Sequence, residues 1–158
     1  MELDETFMQE ALRLAMKARA ADEVPVGAVV VREARIISRG YNQVELLKDA
    51  TAHAEMLALT AAEAAVGDWR LTDCDLYVTK EPCPMCAGAI VHTRIRRVIF
   101  GSTDIRAGAG GTVMNLLQHN ALNHCCLITS GVLQSECASI LQDFFRKKRG
   151  ATEDDAAT

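Results

Sequence analysis

No stretch of this chain approaches the roughly 20 consecutive apolar residues that a membrane-spanning helix requires. The opening segment, Met1-Glu2-Leu3-Asp4-Glu5, is acidic where a secretory signal would be basic. Both absences predict a cytoplasmic protein without a membrane partner. A basic excess is missing too: the net charge is −4, and the late acids Glu153, Asp154 and Asp155 do not account for all of it. Any nucleic-acid contact must therefore come from local patches rather than from the overall field. Two segments qualify, Arg94, Arg96, Arg97 and Arg106 in the middle and Arg146-Lys147-Lys148-Arg149 near the end, although each also reads as a solvated helix face. No internal repeat is present, and Gly108, Gly110 and Gly111 do not complete a G-x-G-x-x-G phosphate loop.

The composition, 49% hydrophobic and 24% charged over 158 residues, suits one globular domain with one sizeable core. We place that domain at residues 1–150 and read residues 151–158 as a disordered acidic tail. Six cysteines would suit a disulfide framework only in a small secreted chain; in a cytosolic one they read as metal ligands or buried thiols.

Periodicity divides the domain into alternating elements. Phe7, Ala11, Leu14, Ala15 and Ala18 recur at helical spacing within a helix from about Leu3 to Ala21, which Pro25 and Gly27 terminate. Val26 to Val31 and Arg35 to Arg39 read as a two-stranded hairpin, followed by a loop from Gly40 to Thr51. Thr51 is placed to cap a helix that runs to about Val66 and ends at Gly67-Asp68. A strand at Asp75 to Thr79, a helix at Cys83 to His92 and a strand at Arg97 to Phe100 come next. Beyond a four-glycine loop, Gly101 to Thr112, the pattern predicts a short helix at Val113 to Gln118 and a strand at Cys126 to Thr129. A last helix follows Gly131, with Leu133, Cys137, Ile140, Leu141 and Phe144 on one face. Strands alternating with helices imply an α/β sheet covered by helices.

The chemistry concentrates in His53-Ala54-Glu55 and Pro82-Cys83-Pro84-Met85-Cys86. One imidazole and two thiolates hold zinc while leaving the fourth tetrahedral position open, which separates a catalytic from a structural site. Cys83 and Cys86, three apart, face one side of a helical turn, and a helix amino terminus favours the thiolate form. His53 and Glu55 lie about 200° apart around an ideal helix, so they converge only at a loop–helix junction, where the first residue is not yet helical. Two thiolates and a neutral imidazole neutralise Zn²⁺, and zinc brings the pKa of water toward about 7, leaving Glu55 to carry protons. Two other readings remain. A lone C-x-x-C also suits a redox pair. A structural zinc would need a fourth ligand from Cys74, His92, Cys125, Cys126 or Cys137, none of which forms a finger-like pair apart from the adjacent Cys125-Cys126.

H-x-E together with P-C-x-x-C is the signature of the zinc-dependent nucleobase deaminases. With Val24-Pro25-Val26-Gly27-Ala28-Val29, Thr51-Ala52-His53-Ala54-Glu55 and Glu81-Pro82-Cys83-Pro84-Met85-Cys86-Ala87-Gly88-Ala89-Ile90, the chain resembles the cytidine/deoxycytidylate deaminase superfamily. His92-Thr93-Arg94-Ile95, Asn123-His124 and Asp143-Phe144-Phe145-Arg146 make it similar, over about Phe7 to Arg149, to the bacterial tRNA adenosine deaminase branch. That resemblance implies a three-layer α/β/α fold on a mixed five-stranded sheet. It implies a homodimer with one Zn²⁺ per chain and no organic cofactor, which hydrolyses the wobble adenosine of an arginine tRNA to inosine. His53, Cys83 and Cys86 would be the zinc ligands and Glu55 the catalytic proton shuttle. Asn42 would contact the base, Asp104 would lie beside the RNA, and Phe145 and Arg146 would meet the anticodon stem-loop.

Taken as residues alone, Asn42 also reads as a turn residue, Asp104 as a solvated loop acid and Phe145 as a core aromatic beside Phe144. Ala50 departs from the family, which commonly has proline there, and the negative charge is unusual for an RNA enzyme. A free nucleobase or nucleoside deaminase of guanine or cytidine type is the alternative function. Cytidine deaminases commonly carry cysteine at the position of His53, and they have less use for the basic cluster at Phe145 to Arg149.

Overall fold

The computed structural model describes residues 2–156, with side chains through Gly150. Helix α1 (Glu2–Ala20) leads into β1 (Gly27–Arg32) and β2 (Arg35–Tyr41), then α2 (Val44–Leu47) and α3 (Ala54–Val66). Strand β3 (Cys74–Lys80), α4 (Pro84–His92), β4 (Arg97–Ser102), β5 (Leu127–Ser130) and α5 (Gln134–Ala156) complete the chain. The five strands form one mixed sheet in the order β2-β1-β3-β4-β5. Strand β1 is antiparallel to β2 and β3, whereas β3, β4 and β5 run parallel.

The β1–β2 hairpin turns at Glu33 and Ala34, both at positive φ as a two-residue type I′ connection requires, and a bulge shifts the register between Val30 and Val31. Parallel β3 and β4 need a crossover, which α4 supplies. Covered on both faces, the inner strands are buried along nearly their whole length and carry mostly apolar residues. Val29, Val31, Tyr77 and Ile99 pack with Phe7, Met8, Ala11 and Leu14 of α1. The alternate residues, Ala28, Val30, Leu76, Val78 and Val98, pack with Ala54, Ala58 and Leu59 of α3 and Ile90 of α4. The result is the three-layer α/β/α arrangement expected. No helix among the described residues is long and apolar enough to cross a membrane.

Three local expectations are corrected. Thr51 does not cap α3. Its amide and hydroxyl bind Asp49 Oδ1 at 2.8 and 2.7 Å, because a carboxylate two residues upstream is the nearer partner, and His53 takes the cap position. The loop after β2 contains the short helix α2, whose Glu45 and Leu46 amides are satisfied by the buried Glu23 carboxylate at 2.9 Å each. No helix forms at Val113 to Gln118. There the Val113 and Met114 amides turn back to Gly108 O, and Asn115 Oδ1 takes the Gln118 amide, a side-chain bond that competes with helix formation. Helix α5 is described as far as Ala156. Ala157 and Thr158 lie outside the described residues.

Close approach of layers is what places α3. A Cβ on Gly40 would lie 2.4 Å from Ala54 O, so only glycine lets the first turn of α3 rest directly on β2. At the opposite end of the sheet, buried Asp4 anchors α1. It accepts from Tyr77 Oη at 2.6 Å and from the Arg97 guanidinium at 2.8 and 3.1 Å, tying the helix to β3 and β4. The Arg97 bond, reinforced by Tyr77 against the cost of burial, lowers the Asp4 pKa below its ordinary 3.8. Asp4→Asn is therefore expected to cost about 2 kcal/mol, because it leaves a half-buried guanidinium short of its partner. A depressed carboxylate stabilises only while ionised, so denaturant titrations should show the full gap above pH 3.8 and a closing gap as pH falls below it.

Candidate active site

Two helices begin at the same point. His53 is the N-cap of α3 with extended backbone (φ −72°, ψ 153°), and Cys83 is the N-cap of α4 (φ −75°, ψ 172°). An N-cap side chain ordinarily bonds its own helix, but neither of these does, which frees both to point at a common centre. Pro84 fills the first position of α4, where a missing N–H costs nothing. His53 Nδ1 lies 3.6 Å from Cys83 Sγ and 3.5 Å from Cys86 Sγ. A tetrahedral zinc with Zn–S near 2.3 Å and Zn–N near 2.05 Å would set nitrogen and sulfur about 3.6 Å apart. The donor set fits zinc by both chemistry and spacing. Its three donor atoms lie within 4.8 Å of one another, and among the described residues no fourth His, Cys, Asp or Glu joins them. The remaining cysteines, including the buried Cys74, Cys126 and Cys137, are free thiols.

The donors already divide charge. Donation from the Cys86 thiol, and then from His53, outweighs burial and lowers Cys83 to about 4. Cys86 is correspondingly pushed up by its bond to Cys83 and by burial. The bond to Cys83 raises His53. Glu55 is buried in the first turn of α3, and that burial, with the nearby Cys83 charge, raises its carboxyl above 4.5. A carboxyl shifted in that direction takes up a proton more readily than an exposed one, as a proton carrier must.

A cavity of about 820 Å³ opens beside these groups, lined by Asn42, Glu45, His53, Glu55, Asp104 and Phe145 among others. It is lined from the segment before β1, the residue after β2, α2, the start of α3, the end of β3, the loop after β4, and α5. Asn42 is more than a turn residue. Its amide donates to Val26 O at 3.1 Å and its Nδ2 to Val24 O at 3.2 Å, while its buried Oδ1 has no partner. Asp104 is more than a solvated loop acid. Burial opposes its charge, but the Arg106 and Ala107 amides and Lys80, at 3.2 Å, overcome that and lower its pKa. Phe145 is 41% exposed, with its ring against the edge of Phe144 at 5.4 Å, so it borders the cavity instead of filling the core. Arg146 is not brought to the cavity; it pairs with Asp143 one turn back at 3.3 Å. Sequence reasoning gave no role to Glu23, Lys80 and Glu81, which also line the cavity together with Lys148 of the basic patch near the end of the chain. Their only signal was adjacency, since Glu23 precedes Val24-Pro25 and Lys80-Glu81 precedes Pro82-Cys83.

A model of the cytidine and deoxycytidylate deaminase zinc-binding region matches residues 1–102, which include His53, Glu55, Cys83 and Cys86. The chain belongs to this deaminase family. Among its relatives, the tRNA-specific adenosine deaminase of Bacillus subtilis (strain 168) is 49% identical over 92% of this chain and 91% of its own length. The tRNA-specific adenosine deaminase of Haemophilus influenzae is 48% identical, over 94% of this chain and 86% of its own. A structure from a study of A-to-I editing by tRNA:A34 deaminases superposes on this deaminase with a TM-score of 0.83 at 43% identity, covering 86% of this chain and 99% of that one. A guanine deaminase from Nitrosomonas europaea superposes with a TM-score of 0.76 at 27% identity, over 89% of this chain and 83% of that one.

The geometry predicts tight metal uptake by this deaminase. Titration of the metal-free protein with Co²⁺ should develop thiolate-to-cobalt absorbance. Cys83→Ser or Cys86→Ser should weaken it by more than the roughly 10- to 100-fold that loss of an outer-shell partner costs.

Proposed function

We propose that this deaminase hydrolyses the wobble adenosine of tRNA, in an arginine tRNA, to inosine and ammonia, binding one zinc per chain through His53, Cys83 and Cys86. The observation that carries this reading is identity of 49% and 48% to tRNA-specific adenosine deaminases over nearly the whole chain. The family fold alone would fit free bases as well. When bound, zinc supplies an activated water at its open position. Glu55, buried beside the donors with a raised pKa, would accept a proton from water, return it to N1 of the purine as the C6–O bond forms, and carry the hydroxyl proton to the amine as the C6–N bond breaks and ammonia leaves. Asn42 orients the nucleoside through its unpaired Oδ1, and Asp104 meets the RNA at the rim.

Phe145, exposed at the mouth, suits stacking on an unpaired base that flanks the target. Arg146 is placed one residue on, where exchange of its Asp143 partner for a phosphate would recruit it. Presenting the adenine from an anticodon loop keeps the unpairing energy small. The reaction needs no organic cofactor. We assign residues 1–150 to the deaminase domain and expect a cytoplasmic homodimer.

A second reading, a guanine or cytidine-type free-base deaminase, draws on the cavity volume and on the guanine deaminase superposition. An unmodified arginine-tRNA anticodon stem-loop separates the two. Inosine at the wobble position supports the tRNA reading, and turnover of free guanine or cytidine with none of the stem-loop overturns it. Glu55→Ala should retain about one zinc by elemental analysis yet lose ~10²- to 10⁴-fold in kcat. Retained turnover would remove Glu55 from the proton path.

A further inference from the structure

The glycine-rich stretch that fails as a phosphate loop nonetheless cradles an anion, and the anion belongs to the chain. Glu81 follows the end of β3, two residues before Cys83, and its carboxylate is buried. Oε1 accepts from the Asp104 amide at 3.1 Å and from Thr112 Oγ1 at 2.5 Å. Oε2 accepts from the Gly110 amide at 2.9 Å and the Thr112 amide at 3.1 Å. Three amides of one loop, those of Asp104, Gly110 and Thr112, thus converge on a single carboxylate. A Cβ on Gly108 would lie 2.5 Å from Oε2, so the loop could not close on the carboxylate with any larger residue there. The neighbouring backbone is tied as well: Ala109 N donates to Pro82 O and Glu81 N to Ser102 O, each at 2.8 Å.

We propose that Glu81 is a positioning residue that sets RNA affinity. It holds loop 104–112, and with it Asp104, at the cavity rim, in fixed relation to the strand end that carries Cys83. The four hydrogen bonds of the carboxylate all go to loop 104–112, and none goes to His53, Cys83 or Cys86. Its charge is spent on three amides and a hydroxyl, and charge-assisted bonds of this kind are the strong ones. The substrate named here rests on the tRNA reading; the loop tie itself does not.

Glu81→Gln tests the idea atom by atom. One oxygen becomes an NH₂ group. The Thr112 hydroxyl can rotate to accept from it, but backbone amides cannot, so the NH₂ settles toward Thr112 Oγ1. The Asp104 amide then loses its acceptor, whereas Gly110 and Thr112 keep theirs. Amide exchange followed by NMR on the zinc-loaded protein should show protection falling about tenfold at Asp104 alone. On the stem-loop, KM should rise about tenfold while kcat stays within about threefold and zinc content holds. In the Glu81→Gln/Asp104→Ala double variant, KM should not exceed that of Asp104→Ala alone, because both lose one contact.

A fall in kcat or in zinc content at unchanged KM would overturn the proposal in favour of a purely structural role at the Cys83 segment. Unchanged Asp104 protection, or additive KM effects, would overturn it equally. If Glu81→Gln does not fold, Thr112→Val at an exposed position replaces it: a smaller KM rise supports the proposal and an unchanged KM overturns it. If the wild-type chain leaves the stem-loop untouched, the tRNA reading fails, and the exchange pattern still decides the loop tie independently.

Discussion

The structure depends on one constraint: two helices from different crossovers must start within hydrogen-bond distance of each other. His53 and Cys83 occupy the N-caps of α3 and α4, and both leave their helices uncapped by side chains. Two stabilising contacts are thereby given up, and a three-donor centre is formed instead. Much of the architecture serves this meeting. Gly40 lets the start of α3 rest on β2, and parallel β3 and β4 require the crossover that puts α4 beside it. The Asp4–Tyr77–Arg97 cluster closes the far end of the sheet, so the helix layer opposite α3 and α4 is secured independently of the site.

Around this centre, buried carboxylates substitute for regular structure. Glu23 takes the first amides of α2, and Glu81 takes three amides from the loop after β4. Neither loop has a ladder or a long helix to satisfy its N–H groups, and buried amides without partners would be costly. Each carboxylate meets that need and fixes one wall of the cavity. The cavity is therefore shaped by side chains drawn from segments remote in sequence, Glu23 to α2 and Glu81 to residues 104–112.

Most elements were legible because their signals are local. Phe7, Ala11 and Leu14 at helical spacing, the β-branched run at Val29 to Val31, and Gly67 at the end of α3 each carry their own evidence. Two of the misreadings share one cause. At Thr51 and at Val113 to Gln118, local propensity competed with side-chain acceptors, Asp49 and Asn115, that captured the amides first. Glu23 and Glu81 escaped notice because an isolated glutamate in sequence reads as a solvated charge, and only tertiary burial turns it into an acceptor for a distant loop.

The sequence by itself determined the chemistry: an imidazole, two thiolates and a nearby carboxylate at spacings that converge only where helices begin. It also determined the sheet-and-helix alternation, since periodicity is a property of neighbouring residues. Tertiary structure alone decided which polar groups line the cavity beside the three donors. Asn42 was left with a buried, unpaired Oδ1, Phe145 was turned outward at the cavity mouth, and Arg146 was drawn to Asp143. Those outcomes depend on the desolvation and hydrogen-bond partners that packing supplies, and such partners lie too far along the chain for any local pattern to reveal.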